Sequence, residues 1–177
     1  MRGRHAVPMI RILRRPTVHK TKNDLPEKIR HQVIGLLQER LADSIDLTQQ
    51  AKQAHWNVKG PSFIALHELF DKVYQNAGDY SDLLAERIVQ LGGVAEGTIP
   101  AVAKRSSLPE YGLTIAAGKD HVEALSRALA YFGEQARAGI NRTAEIGDAD
   151  TADILTEISR GIDKDLWFVE AHAQAER

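Results

Sequence analysis

Residues 63–91, FIALHELFDKVYQNAGDYSDLLAERIVQL, decide the fold, because nothing in them breaks a helix and their apolar residues recur with a helical period. No proline and no paired glycine occurs between Ser62, which is placed to cap the helix, and Gly92-Gly93. At about 100° per residue, the apolar side chains form one stripe of ordinary width: Leu66, Phe70, Val73, Ala77, Leu84, Ile88 and Leu91. The stretch therefore predicts a long amphipathic helix whose apolar side is buried against other helices.

The segment before it predicts another long helix. Asp24 followed by Glu27, with Pro26 in the first turn, is typical of a capping-box start. Apolar residues then recur with a helical period until about Val58, where Lys59-Gly60-Pro61 stops the helix.

Two further helices are predicted after a long connection. Residues 92–118 contain five glycines and two prolines, and their middle, 99–105, favours a short extra helix. Helical patterns follow at about 119–146 and, after Gly147-Asp148, at about 149–173. Strand-like alternation is absent, so the sequence predicts an all-α, antiparallel four-helix bundle with one long crossover.

The 177 residues, 43% hydrophobic and 27% charged, suit one globular domain, and no apolar run is long enough to span a membrane. The complete absence of cysteine excludes disulfides, zinc knuckles and thiol catalysis, and it suits a cytoplasmic protein. Histidine, aspartate and glutamate remain as the strong metal ligands.

The charge is unevenly distributed along the chain. Of 23 basic and 24 acidic residues, the first 22 positions hold no acid and seven bases: Arg2, Arg4, Arg11, Arg14, Arg15, Lys20 and Lys22. We interpret residues 1–22 as a basic, flexible tail and residues 23–177 as the bundle domain. Such a tail is typical of a segment that touches a polyanion such as DNA, and a merely solvated leader is the alternative.

Four residues of the long helix are good metal ligands on a different side from the apolar stripe. At about 100° per residue they fall within about 100° of one another: His67, Asp71, Asp82 and Glu86. His67 and Asp71 lie one turn apart, as do Asp82 and Glu86. Asp71 and Asp82 are 11 positions apart, roughly 16 Å along the axis, so one helix cannot bring both pairs to one ion.

Two antiparallel copies of this helix do bring the pairs together. The four positions are symmetric about the point between Asn76 and Ala77, so a two-fold axis there sets Asp71 opposite Asp82 and His67 opposite Glu86. We therefore predict a metal site shared between two subunits, two per dimer. The alternative is a solvated polar face. A di-iron site in the bundle core, which uses Glu-x-x-His, is disfavoured because that motif is absent.

Five segments of the chain together carry a family likeness: AHWNVKG at 54–60, FIALHELFD at 63–71, Asp82-x-x-x-Glu86 with QLGG at 90–93, DTADIL at 150–155 and DKDLWF at 163–168. They resemble the Dps family, the starvation-induced members of the ferritin superfamily. The likeness covers about residues 25–172. It implies a ferritin-like four-helix subunit, a hollow dodecamer built from dimers, and ferroxidase activity at dimer interfaces.

The resemblance also implies the roles of individual residues. It sets His55, His67 and Asp71 of one subunit opposite Asp82 and Glu86 of another as iron ligands, and it makes the neighbouring Trp56 an interceptor of stray oxidising equivalents. From the residues alone, His55 would be a buried core histidine and Trp56 a core or interface filler. Iron is the expected metal, with zinc or manganese as alternative occupants.

The function implied is oxidation of ferrous iron, preferably by hydrogen peroxide, followed by storage of the ferric mineral, which protects DNA from oxidative damage. The resemblance also makes Asp148, Asp150 and Asp153 an acidic pore for cations, although the same acids suit a helix N-terminus. A DNA-compacting, nucleoid-associated protein that acts through the basic tail is the alternative function. A third is a cage that stores metal with little catalysis.

Overall fold

The computed structural model describes residues 18–174, which form five helices. The helices are α1 (Glu27–Asn57), α2 (Phe63–Gln90), α3 (Ile99–Arg105), α4 (Gly118–Glu145) and α5 (Ala149–Gln174). The helix α1 packs against α2 and α4, and α5 packs against α4 and α2, which closes the four long helices into a bundle. Within the described residues no strand is present, so the all-α prediction is confirmed, including the short helix in the crossover.

The apolar stripe of α2 is the centre of the core. All seven of its predicted members are at most 3% exposed, and Phe70 belongs to one continuous cluster with other buried side chains such as Leu41, Leu125 and Phe132. Burial of each large aliphatic or aromatic side chain contributes roughly 1.5–3 kcal/mol relative to exposure. The opposite side of α2 is thereby fixed as an outer surface of the bundle.

The start of α1 differs from the prediction. The helix begins at Glu27 with Pro26 in the capping position, and no side chain caps its first amides. Proline disfavours helical geometry in the residue before it, so Asp24 cannot be the cap, and the predicted capping box is wrong. Instead, the side chain of Asn23 accepts a 3.0 Å hydrogen bond from the amide of Leu25.

Buried polar contacts tie the long crossover to the bundle. Asp43 of α1 is fully buried, is paired with Arg40 at 2.8 Å, and accepts a 2.7 Å hydrogen bond from the amide of Ser107. Farther along, the Tyr111 hydroxyl lies 2.6 Å from Nδ1 of the buried His121 on α4. The connection is therefore an ordered part of the domain.

The described chain lies against the bundle from Val18 onward. Val18 packs on the core, and the amide of His19 donates a 2.6 Å hydrogen bond to the carbonyl of Gly92, whose φ of 89° suits glycine. Lys20 and Lys22 are exposed. The other predicted tail residues lie outside the described residues: Arg2, Arg4, Arg11, Arg14 and Arg15. None of the helices described between residues 18 and 174 is long and apolar enough to cross a membrane.

Candidate metal centre

Two histidines from different helices meet where the last turn of α1 crosses the second turn of α2. The rings of His55 and His67 are stacked, with 3.6 Å between their centroids. Nδ1 of His55 lies 2.8 Å from the carbonyl oxygen of His67, and Nδ1 of His67 lies 2.8 Å from the carbonyl oxygen of His55. Each side chain is therefore anchored to the backbone of the other helix.

This reciprocal bonding fixes the tautomer of both imidazoles. A carbonyl oxygen only accepts hydrogen bonds, so each Nδ1 must carry the proton and donate it. In the neutral ring the lone pair is then on Nε2, the atom left free to bind a metal ion. A hydrogen bond from the non-ligating nitrogen to a carbonyl is the arrangement that orients ligating histidines in proteins.

Asp71 lies beside the two histidines, on the next turn of α2. Its carboxylate lies 3.9 Å from Nδ1 of His55, forms a close ion pair with Lys52 of α1, and accepts a 3.2 Å hydrogen bond from Gln75. The bond from the Lys52 ammonium holds the pKa of Asp71 below its ordinary value, with burial acting in the opposite direction. The carboxylate is thus ionised at neutral pH, and the Lys52 ammonium is the cation that neutralises it in the single chain.

Lys52 and Gln75 are neighbours of Asp71 that the sequence reasoning missed. Lys52 is three residues before His55 on α1, and Gln75 is four residues after Asp71 on α2, so helical spacing contained the signal. The ammonium of Lys52 also lies 4.5 Å from the centre of the Tyr74 ring, which helps to hold it in this position.

The other two predicted ligands lie on the far half of α2. Asp82 and Glu86 are exposed, and no group of three histidine or acidic side chains suited to a metal is gathered within residues 18–174 of one chain. The single chain therefore stacks His55 on His67 and sets the Asp71 carboxylate 3.9 Å from Nδ1 of His55, an arrangement that does not by itself form a metal site, and it leaves the second acidic pair on its outer surface.

Of the residues around the predicted crossing point, Gly78 lies on the ligand-bearing surface of α2, whereas Ala77 is buried in the core. An added Cβ on Gly78 would meet no atom within 4 Å, so the surface there is open to a close neighbour. Asn76 points inward instead, and its amide donates hydrogen bonds of 2.8 and 3.1 Å to the two oxygens of Asp165 on α5. Burial raises the pKa of Asp165 to about 6.

Trp56 follows His55 on α1, and its side chain is 64% exposed. It therefore does not fill the core of its own subunit. Phe63 and Ile64, at the start of α2, are 39% and 61% exposed, and the centre of the Phe63 ring lies 5.1 Å from that of His67, so an exposed aromatic side chain lies beside the histidine pair.

The acids at the start of α5 divide into two groups. Asp148 is buried, pairs with Arg87 at 2.8 Å, and accepts a 3.0 Å hydrogen bond from the amide of Thr151. Asp148 thus caps the helix, which is one of the two predicted roles, and its carboxylate does not face solvent. Asp150 and Asp153 are exposed and remain the candidates for a pore.

Comparisons with known proteins agree on one family. A family profile described as "Ferritin-like domain" matches residues 34–177. A "DNA protection during starvation protein" of Agrobacterium fabrum is 48% identical over 156 residues, which cover 88% of this chain and 96% of that protein.

Solved structures show the same likeness. DpsA14 from Streptomyces coelicolor has a TM-score of 0.83 at 34% identity and covers 89% of this chain and 93% of its own. A Dps from Microbacterium arborescens, solved in a high iron form, has a TM-score of 0.77 at 34% identity, covering 85% of this chain and 97% of its own.

Proposed function

Because this chain belongs to the Dps proteins of the ferritin-like family, we propose that it oxidises ferrous iron at sites shared between two subunits and stores the product in a hollow homododecamer. The observation that carries the proposal is the pair His55 and His67, each locked by the other helix's carbonyl beside Asp71. Protection of DNA from oxidative damage in the cytoplasm is the expected result.

Ferrous iron is the substrate of this site. We propose that Nε2 of His55 and of His67 and the carboxylate of Asp71 bind it from one side, and that Asp82 and Glu86 of the partner subunit bind it from the other. Imidazole suits ferrous iron, whereas carboxylates bind both oxidation states and favour the higher charge. A site rich in carboxylate therefore favours oxidation, because few of its ligands are imidazoles that stabilise ferrous iron.

Hydrogen peroxide is the proposed oxidant. Two ferrous ions give one electron each, and peroxide with two protons becomes two water molecules, so no hydroxyl radical is released. The chain's contribution is to hold two ions together so that both electrons are delivered at one place. Trp56, which is exposed and follows His55 in the chain, is the proposed reductant of oxidising equivalents that are not consumed by the two ferrous ions.

Lys52 must leave Asp71 before that carboxylate can bind iron. Its ion pair satisfies the carboxylate until a cation arrives. The ammonium then has solvent to move into, because both side chains are partly exposed, at 22% and 32%.

Mixed dimers test whether the site is shared. Asp71→Ala and Glu86→Ala are each expected to slow ferrous oxidation strongly without dissolving the assembly. A dimer that combines one subunit of each kind has both lesions in one site and none in the other, so about half of the wild-type rate should return. Two affinity tags isolate the mixed dimer, and stopped-flow absorbance measures ferric product.

The matched control combines Asp71→Ala with His67→Ala. These residues belong to the same half of the site, so each of the two sites keeps one lesion and no activity returns. Equal rates for the two mixtures would refute sharing. Running each assay with peroxide and with oxygen tests the oxidant, and replacing iron by zinc or manganese in binding titrations tests the metal.

Binding of DNA through the basic tail is the second candidate function, and the exposed Lys20 and Lys22 at its end support it. A chain that begins at Val18 keeps the bond between His19 and Gly92 and removes the five arginines. We expect it to retard DNA less than the full chain, with a shallower dependence of affinity on salt. Equal retardation by both forms would refute this role.

Entry of iron through an acidic pore is proposed for Asp150 and Asp153. Both carboxylates are exposed at the start of α5, where negative charge attracts cations. Replacing both by asparagine should slow iron uptake at low salt and less so at high salt. Unchanged uptake at both salt concentrations would refute the pore.

A further inference from the structure

Two large aliphatic side chains are exposed on the same side of α2 as the metal ligands. Ile64, near the start of the helix, is 61% exposed, and Val89, near its end, is 58% exposed. At about 100° per residue, both fall within the stripe that carries Asp71 and Asp82. Neither contributes to the core of its own subunit.

The positions of these two residues share the symmetry of the ligands. Ile64 and Val89 are equally far, in residues, from the point between Asn76 and Ala77. They lie roughly 37 Å apart along one helix, too far to form one apolar patch for a foreign protein or a lipid surface. Two antiparallel copies, however, set each Ile64 opposite a Val89 and produce one apolar contact at each end.

A receiving surface surrounds Val89. A shallow depression there is lined by three apolar side chains, Ala85, Val89 and Ala95, and by the polar side chains Glu86 and Gln90. The small side chains leave room for a bulky aliphatic one, and Glu86 connects the depression to the proposed iron site.

We propose that Ile64 of each subunit packs into the depression around Val89 of the partner subunit and closes the outer end of the shared iron site. The inference rests on the proposed antiparallel dimer. The contact lies about one turn beyond the pair formed by His67 and Glu86 of the partner subunit, on the side away from the two-fold axis. It excludes water there, and exclusion of water strengthens the attraction between carboxylates and cations.

Cysteine cross-linking tests the register, because the natural chain has no cysteine. In the full-length double variant Ile64→Cys/Val89→Cys, oxidation should produce covalent dimers, since a disulfide forms only when the two Cα atoms lie within about 7 Å. Each single variant should give none, because its two cysteines lie at opposite ends of the dimer. Ile64→Cys with Ile99→Cys is the matched control, since Ile99 is 82% exposed but lies on α3.

A charge exchange provides a second measurement. Ile64→Lys and Val89→Glu should each weaken assembly in sedimentation velocity, and the double variant should regain assembly, more at low salt than at high salt. Helical circular dichroism checks that each subunit is folded. Absence of a cross-link in the double cysteine variant, or assembly unaffected by Ile64→Lys, would overturn the inference.

These outcomes are separable from failure of the proposed function. If the cysteines cross-link but the mixed dimers of Asp71→Ala and Glu86→Ala regain no activity, the contact stands and the shared iron site falls. If the mixed dimers regain activity without a cross-link, the iron site stands and the apolar contact falls.

Discussion

Replacing Asp165 by asparagine should change how the stability of the protein depends on pH. The carboxylate is 3% exposed between α5 and α2, and burial raises its pKa from 3.8 to about 6, with opposing effects from Asn76, Lys72 and Lys164. At about 1.4 kcal/mol per unit, a shift of about two units corresponds to roughly 3 kcal/mol. That is the cost of keeping this carboxylate charged in the folded protein.

The direction in which the free energy of unfolding changes with pH follows from the proton that Asp165 binds. Between about pH 4 and 6 the folded state holds the proton of Asp165 while the unfolded state has released it, so the free energy of unfolding falls as pH rises. Asparagine does not titrate and still offers an oxygen to Asn76. At about pH 7, Asp165→Asn should therefore be more stable than the wild type by up to about 3 kcal/mol, and at about pH 4 it should show no gain.

Urea unfolding followed by circular dichroism, at one subunit concentration and a series of pH values, measures this difference. Asp163→Asn is the matched control, because Asp163 lies on the same helix but is 57% exposed in its pair with Arg137. A stability difference between Asp165→Asn and the wild type that stays constant with pH would refute the reasoning.

Three further changes have defined outcomes. Lys52→Gln removes the cation that competes with a metal ion at Asp71. Because a partly exposed ion pair contributes about 1 kcal/mol, zinc should bind this variant up to about fivefold tighter in a calorimetric titration. Lys52→Arg should not tighten binding, and equal zinc affinity for the wild type and both variants would contradict competition by Lys52. Arg87→Met removes the ion-pair partner of the buried Asp148, so the free energy of unfolding measured in urea should fall by about 3–5 kcal/mol. Adding Asp148→Asn should recover much of that loss. An unchanged free energy of unfolding in Arg87→Met would contradict this prediction. Gly35→Ala should stabilise α1 by about 0.8–1 kcal/mol in thermal unfolding, because an added Cβ meets nothing within 4 Å; a lower melting temperature would contradict this.

The fold was predictable because its helices end at strong signals. Gly60-Pro61 lies between α1 and α2, and Gly92-Gly93 follows α2. These signals locate the end of α1 and both ends of α2 to within about two residues. The seven apolar residues of α2 were identified as core from spacing alone, and all seven are buried. The start of α1 was predicted wrongly. The spacing of Asp24 and Glu27 indicated Asp24 as the capping residue, but Pro26 occupies the capping position.

The arrangement of the candidate site was only partly predictable from the sequence. Spacing along α2 identifies His67 and Asp71 because both lie on one helix. The pairing of His55 with His67 uses backbone carbonyls across two helices, and such bonds leave no sequence pattern. Lys52 reaches Asp71 in the same way, across the gap between α1 and α2. For Asp148 the limit of the sequence is different. An acid at the start of a helix can face solvent or pair with a buried arginine, and the packing of the helices determines which of the two occurs.

The bond from His67 to the carbonyl of His55 has a consequence for how such sites persist. A helix leaves its final carbonyl oxygens without amide donors, and here an imidazole from the neighbouring segment supplies one of the missing donors. Selection for an intact packing of α1 on α2 would therefore preserve this histidine whether or not the proposed iron chemistry is present. Its presence in a homologue is accordingly no diagnosis of activity unless the acidic half of the site has survived as well.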